Sequence, residues 1–405
     1  MAVFFRLALL LTLVMSACAP TTEPLIGDPQ RPYAPEREPQ VGDILHLPTG
    51  HFVEEKEMLE VLADARIVYV GESHDDMASH KLQQQIIEHL SNQRPGQVAI
   101  GMEMFTPEQQ ETLDQWVAGE LSEKEFLKQS NWYGTWRMDF DFYRDLMELA
   151  RKRRIPVIGL NAPRDLVRMV GGSEIEDLDE ETRARIPEMD FDDPYQKALT
   201  EAVHGGHEPN GNALGGFLRV QTLWDESMAD NIARYLQSPP GKNKQMVVLA
   251  GGNHIRYGFG IPRRVFRRLP TSYALVGNRE LEIPEDKKDR LMDVRMPRFP
   301  MPAWDFEVFT RYEGLDREKV MLGVRLDDET GAVRIAGVMP DSVAGRAGLQ
   351  EDDLILQIDG QPVEENFDLV YAVKQKKPGD TAHLVIEREG EQREIKATFE
   401  SPASE

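Results

Sequence analysis

The sequence predicts an α/β protein: a mostly parallel sheet with helices on both faces, followed by a small β-rich domain. Three observations carry this reading. Between residues 45 and 293, short near-continuous apolar runs alternate with longer amphipathic stretches, the pattern of strands buried on both faces and separated by helices. Several of those runs end abruptly in Glu, His, Asn or Arg. From 318 to 400 the texture changes to short apolar runs broken by Gly and Asp, as expected of a separate β-rich unit.

The chain opens with Arg6, an apolar run over residues 7–15, then Ser16, Ala17 and Cys18. This is the charged, apolar and small-residue order of a secretory signal, expected over 1–17, and the run is too short to span a bilayer. Cys18 directly after Ala17 resembles a bacterial lipobox, which implies lipidation of Cys18 and attachment to a membrane of the cell envelope. Cys18 is the sole cysteine among 405 residues, so no disulfide or Cys-based metal site is available. Residues 18–44, rich in Pro, Thr, Glu and Arg, read as an extended tether. The formal net charge of −23 disfavours nucleic acid as a partner.

Within 45–293 the expected strands are residues 66–71, 98–102, 155–160 and 245–250, with a fifth at 273–276. Helical patterns lie between them at 81–90, 140–152 and 223–236. Residues 294–317, with Pro297, Pro300 and Pro302 among aromatics, read as a linker packed on a neighbouring surface.

The strand ends carry the chemistry. The first leads into Glu72, Ser73 and His74, the second into Glu103, the third into Asn161 and Arg164, the fourth into Gly251, Gly252, Asn253 and His254. Carboxyl ends of strands form the ligand crevice of open α/β sheets, so these residues are expected to share one rim. Glu72, His74 and His254 are the types that hold a divalent metal such as Mn or Zn, and Glu72, His74, Glu103 and His254 equally suit acid–base work. Arg164 suits a ligand carboxylate or phosphate. Glu226 follows Trp224 and Asp225 at the expected opening of a helix; it reads either as a cleft residue or as a first-turn acid. Trp132, Tyr133 and Trp136 flank Gly134, and Tyr257 lies three residues past His254; these aromatics would wall a flat apolar ligand.

GESHDD at 71–76, the Met-Glu-Met end at 102–104, LNAPRDLV at 160–167, WDESMADNIA at 224–233 and GGNHIRYGFGIPRRV at 251–265 resemble the ChaN-like haem-binding lipoproteins of the Tiki and erythromycin-esterase-like superfamily. The resemblance implies a parallel α/β fold, haem or a related iron compound as ligand, a tyrosine on the iron and a possible homodimer around the porphyrin. Tyr257 and Tyr133 are both open as that tyrosine. Hydrolytic relatives in the superfamily imply the alternative, a metal-dependent hydrolase or peptidase using Glu72, His74 and His254.

VMLGV at 320–324, GVMPDSVAGRAGL at 337–349 and DDLILQIDG at 352–360 resemble a PDZ domain of the bacterial protease type. The resemblance implies that an extended or C-terminal peptide adds to a sheet edge, with backbone N–H groups of Leu322, Gly323 and Val324 at its terminal carboxylate. A bound peptide and a domain that only packs on its neighbour are both open.

Overall fold

The computed structural model describes residues 27–28, 33–205, 213–288, 296–316, 318, 320–327 and 332–400. Cys18 and the expected signal at 1–17 lie outside the described residues.

The first sheet takes strands β1 (Ile44–His46), β2 (His51–Val53), β3 (Ile67–Glu72), β4 (Val98–Met102), β5 (Val157–Gly159), β6 (Gln245–Gly251), β7 (Tyr273–Glu282) and β8 (Phe306–Arg311) in the order β2-β1-β8-β7-β3-β6-β4-β5. β8 through β5 run parallel, and β1 and β2 add an antiparallel edge. All residues of β3, β4 and β6 are buried, which is why these strands read as continuous apolar runs. Around the sheet the helices follow in chain order: α1 (Glu55–Asp64), α2 (Met77–Gln93), α3 (Gln110–Ala118), α4 (Glu123–Gln129), α5 (Trp132–Thr135), α6 (Arg144–Arg153), α7 (Arg164–Gly172), α8 (Glu180–Ala184), α9 (Pro194–Gly205), α10 (Ala213–Gln237), α11 (Gly252–Ile255), α12 (Ile261–Arg268) and α13 (Glu285–Lys288).

Alternation along β3 divides the core into two layers. Val68 and Val70 join Leu62, Ile86, Leu90 and Leu146 of α1, α2 and α6. Ile67 and Tyr69 face the other way and join Met228, Ile232, Leu236, Ile261 and Val265 of α10 and α12.

Two expectations are corrected here. Residues 294–317 are more than a linker: β8 lies inside the sheet, and Trp304, Phe306 and Phe309 are buried. Flanking prolines obscure this short strand. Trp304 lies flat against the sheet, where a Cβ on Gly277 would come within 2.2 Å of the indole and one on Gly71 within 2.6 Å. Bare backbone at those two strand positions makes the close approach possible. Second, α10 begins at Ala213 rather than near Trp224, so Asp225 and Glu226 are mid-helix. Gly215 and Gly216 hide its first turn from a propensity reading. No helix among the described residues is long and apolar enough to cross a membrane.

The C-terminal domain has its own sheet, β14-β13-β11-β10-β9, with β12 beside β11. These are β9 (Val324–Leu326), β10 (Val333–Val338), β11 (Leu354–Ile358), β12 (Gln361–Pro362), β13 (Thr381–Arg388) and β14 (Glu391–Thr398), together with α14 (Val343–Ala347) and α15 (Asn366–Lys374). Leu322, Ile335, Ile355, Leu369, Ile386 and Phe399 form a separate core. α15 docks on the α/β body: Phe367 stacks on Tyr133 at 5.9 Å, and the Lys374 ammonium sits 4.9 Å over the Tyr133 ring. Lys124 and Lys128 of α4 pair with Asp368 at 2.7 Å and Glu365 at 3.0 Å.

If Trp304 is core, Trp304→Ala will cost roughly 3–5 kcal/mol, read as a lowered urea midpoint for the α/β body. A surface linker residue would leave that midpoint within experimental error.

Candidate functional site

Three adjacent central strands end together. Glu72 of β3 pairs with Gly251 of β6, and the Glu103 N–H following β4 bonds Leu249 O at 3.0 Å. The crevice therefore opens where sheet order and chain order part company, the expected place in an open α/β sheet. A cavity of about 290 Å³ lies there, lined by Glu72, His74, Gln196, Asn253, His254 and Arg256 among others.

The Glu72 side chain is fully enclosed. Its carboxylate accepts from His74 Nδ1 at 2.8 Å, from the Tyr143 hydroxyl at 2.8 Å and from Gln83 Nε2 at 2.6 Å. Trp136 Nε1 donates to the Tyr143 oxygen at 3.2 Å, and the Trp136 ring stands edge-on to His74 at 4.9 Å. Burial works against the Glu72 charge, but electrostatic attraction to His80 and His74 and the hydrogen bonds from His74 and Gln83 overcome it and hold the carboxyl down to about 2. The same balance acts on His74: burial opposes its cation, and Glu72 and Glu103 raise its pKa.

A second pair faces the first across Gly251. His254 Nδ1 donates to Asp225 Oδ1 at 2.7 Å, and its Nε2 lies 3.6 Å from Glu103 Oε1. Glu103 Oε2 accepts the Gly251 N–H at 2.7 Å. Burial disfavours the His254 cation, yet Glu103 and Asp225 outweigh it and lift the imidazole to about 9. A Cβ at Gly251 would stand 3.2 Å from the His74 ring, so glycine here lets the two imidazole systems close on one another.

Glu72, His74, Glu103, His254 and Asn253 are thus brought to one rim. Four expected residues serve elsewhere. Asn161 accepts the Ala162 N–H at 2.8 Å and builds its own turn. Arg164 is exposed and donates to the Gly134 carbonyl, tying α7 to α5. Glu226 is buried against Arg264, Arg267 and Arg268 of α12. Tyr133 is taken by Phe367 and Lys374 at the domain contact. The divalent-metal expectation finds no support: among the described residues no group of three or more His, Cys, Asp or Glu side chains is arranged to hold a metal ion. The acids are already engaged by imidazoles, a phenol and an amide.

Sequence reasoning missed Asp225, Tyr143, Gln83 and Arg256. Asp225 was findable: residues 225, 228, 229, 232 and 236 share one helical face, and all five are buried. Glu226 falls one position off that face, toward α12.

Tyr257 sits beside the cavity in a cluster of flat rings. Its backbone is left-handed, φ 61°. It stacks on Phe259 at 5.3 Å and meets Phe299 at 4.7 Å, while Tyr195 stacks on Phe259 at 5.2 Å. Met296 and Met301 pack beside them.

In the C-terminal domain β9 is the sheet edge. Leu322 is buried, its carbonyl accepts the Ala344 N–H at 2.8 Å, and that of Gly323 accepts the Met339 N–H at 2.9 Å. The loop 322–324 is thereby fastened to α14 at the start of an unpaired strand edge.

Fold and site define an α/β ligand-binding body with a crevice at its strand ends, fused to a small domain with an open sheet edge. The profile described as haem-binding uptake, Tiki superfamily, ChaN matches residues 58–265, and a PDZ-domain profile matches 320–398. The chain belongs to the ChaN haem-binding family and carries a PDZ domain. The solved structure of cofacial heme binding to ChaN of Campylobacter jejuni superposes with a TM-score of 0.53 at 18% identity, covering 69% of this chain and 100% of that one, which shows the shared fold. A probable periplasmic serine endoprotease DegP-like of Ectopseudomonas mendocina is 37% identical over 74 residues, 18% of this chain and 15% of that protein. Serine protease HTRA1 of Xenopus tropicalis is 41% identical over 71 residues, again 18% and 15%. The chain spans about 15% of the length of these curated relatives.

Because the His254 pKa is raised in the fold, the native state holds a proton that the unfolded chain releases above its ordinary 6.5. That stabilisation is complete below pH 6.5 and is lost as pH rises through about 9. Unfolding free energies from urea titrations at pH 6 to 10 will fall across this window by an amount on the order of 3 kcal/mol. His254→Gln will flatten the slope.

Proposed function

We propose that the protein is a lipid-anchored haem-binding protein of the bacterial cell envelope whose PDZ domain takes an extended or C-terminal peptide. The observation that carries the haem reading is the Tyr257 surface. Flat apolar rings with a phenol among them fit a porphyrin and its iron. The Tyr257 hydroxyl has no hydrogen-bond partner among the described residues. Burial pushes its pKa up, and the adjacent Arg256 cation works against that, toward the phenolate that a ferric centre takes. Bound haem would supply the iron coordination chemistry. The chain's part is to present the phenol, cover the porphyrin face with Phe259 and Phe299, and exclude water. Tyr195 is 43% exposed, so the ring cluster reaches the surface, where a second copy of the chain would close over the ligand.

The hydrolytic alternative draws on the neighbouring cavity. With His254 held at about 9, its imidazole is a cation near neutral pH and is not the general base there. The lipid anchor rests on Cys18 and the residues before it. The peptide reading rests on β9 as an unpaired edge beside the 322–324 loop.

Adding haemin to the purified protein will produce a shifted Soret band, and Tyr257→Phe will weaken binding by roughly tenfold or more. An unchanged haemin spectrum in the unaltered protein would sink the haem reading. In cells, Cys18→Ser will move the protein from the membrane pellet to the soluble fraction; unchanged pelleting would refute lipidation at this residue.

A further inference from the structure

The cavity at the strand ends contains an arginine that forms no ion pair among the described residues. Arg256 lines it. Its guanidinium is laid between the Gly252 backbone, 3.5 Å from where a Cβ would stand, and the Trp304 ring, 5.9 Å from the centroid. Its Nε is completely enclosed and has no hydrogen-bond partner, and Arg256 makes no ion pair among the described residues. The buried Arg264 is treated differently and meets Glu226 at 3.1 Å; the half-buried Arg388 and Arg144 also meet acids, Asp353 at 2.6 Å and Glu123 at 2.7 Å. The acids whose charges act on Arg256 are Glu307 and Glu280, and Glu280 already accepts the Ser73 hydroxyl at 3.0 Å; within the cavity Glu72 is committed to His74, Gln83 and Tyr143.

An enclosed, unpaired charge is costly, and removing it is normally stabilising or neutral. A guanidinium is planar and permanently charged, and it matches a carboxylate with two parallel hydrogen bonds. Asn253 lines the same cavity and supplies a neutral donor for a remaining lone pair, whereas Gln196 Nε2 is already given to Asp225 Oδ2 at 2.6 Å. Arg256 and Tyr257 are consecutive, so this cation adjoins the aromatic surface on which the haem reading rests.

We propose that Arg256 is the anchor for a ligand carboxylate entering the cavity. Two sources share that chemistry: a propionate of the porphyrin, which presupposes the haem reading, and a free carboxylate anion, which does not.

The test compares the unaltered protein with Arg256→Gln and Arg256→Lys, titrated with haemin, haemin dimethyl ester and succinate by calorimetry and Soret absorbance. If the propionate is the ligand, the unaltered protein will bind haemin roughly tenfold more tightly than the ester, and Arg256→Gln will bind both alike. If a free anion is the ligand, succinate will bind with measurable heat that Arg256→Gln abolishes and Arg256→Lys partly restores, whether or not haemin binds. A failed haem reading is thus seen as an absent Soret shift and leaves the succinate titration to decide. Arg256→Gln will also melt at the same or a higher temperature than the unaltered protein, whereas a purely structural arginine would lower it. The proposal is overturned if Arg256→Gln keeps both the haemin-to-ester ratio and the succinate heat, or if the unaltered protein shows neither.

Discussion

The carboxylate of Glu72 is the constraint around which the crevice is organised. It sits at the end of a wholly buried strand, and a bare carboxylate there would be prohibitive. Three donors from three different elements meet it: His74 from the loop after β3, Gln83 from α2 and Tyr143 from the start of α6. Each contact fixes an element relative to the sheet. Through Tyr143 the network reaches Trp136, and through Trp136 it returns to the edge of His74. The result is a closed ring of polar and aromatic contacts that rigidifies one wall of the cavity. The opposite wall repeats the device with Asp225 and His254. Two acid–imidazole pairs thus face one another at the rim, with Glu103 beside His254 and Arg256 on the face of Trp304.

Trp304 connects this polar rim to the fold beneath it. Its indole covers the glycine positions of β3 and β7 and carries Arg256 on its face. A residue in an apparently loose proline-rich stretch is therefore floor to the site. Its flanking strand β8 ties the antiparallel edge to the parallel centre.

The parallel centre of the sheet was legible because β3, β4 and β6 are buried on both faces and read as apolar runs. Their polar ends, Glu72, His74, Glu103 and His254, were legible because strand termini are where such residues gather. β8 was not, since its short run lies among prolines that argue against a central strand. Asn161 and Arg164 follow a strand just as the true rim residues do. β5 lies at the outer edge, beyond β4, and its polar tail turns onto its own backbone and onto α5. Sequence order contains no measure of that lateral distance. The exchange of Asp225 for Glu226 has a sharper cause: one residue is 100° on a helix, enough to turn a side chain from His254 to the arginines of α12. The PDZ domain was readable almost throughout because its turns and small-residue helix are local features. Its docking through Phe367 and Lys374 is a surface match between distant segments and leaves no periodic trace.

That docking has a consequence for the β9 edge. Asn366 Nδ2 donates to Asp327 O at 2.8 Å, so the N-terminus of α15 is tied to the end of the edge strand, while Phe367, Asp368 and Lys374 pin the helix to the neighbouring body. The helix beside that edge is thereby fixed to the α/β body. The entropy of ordering it has been spent in folding, so a partner's contacts translate more fully into affinity.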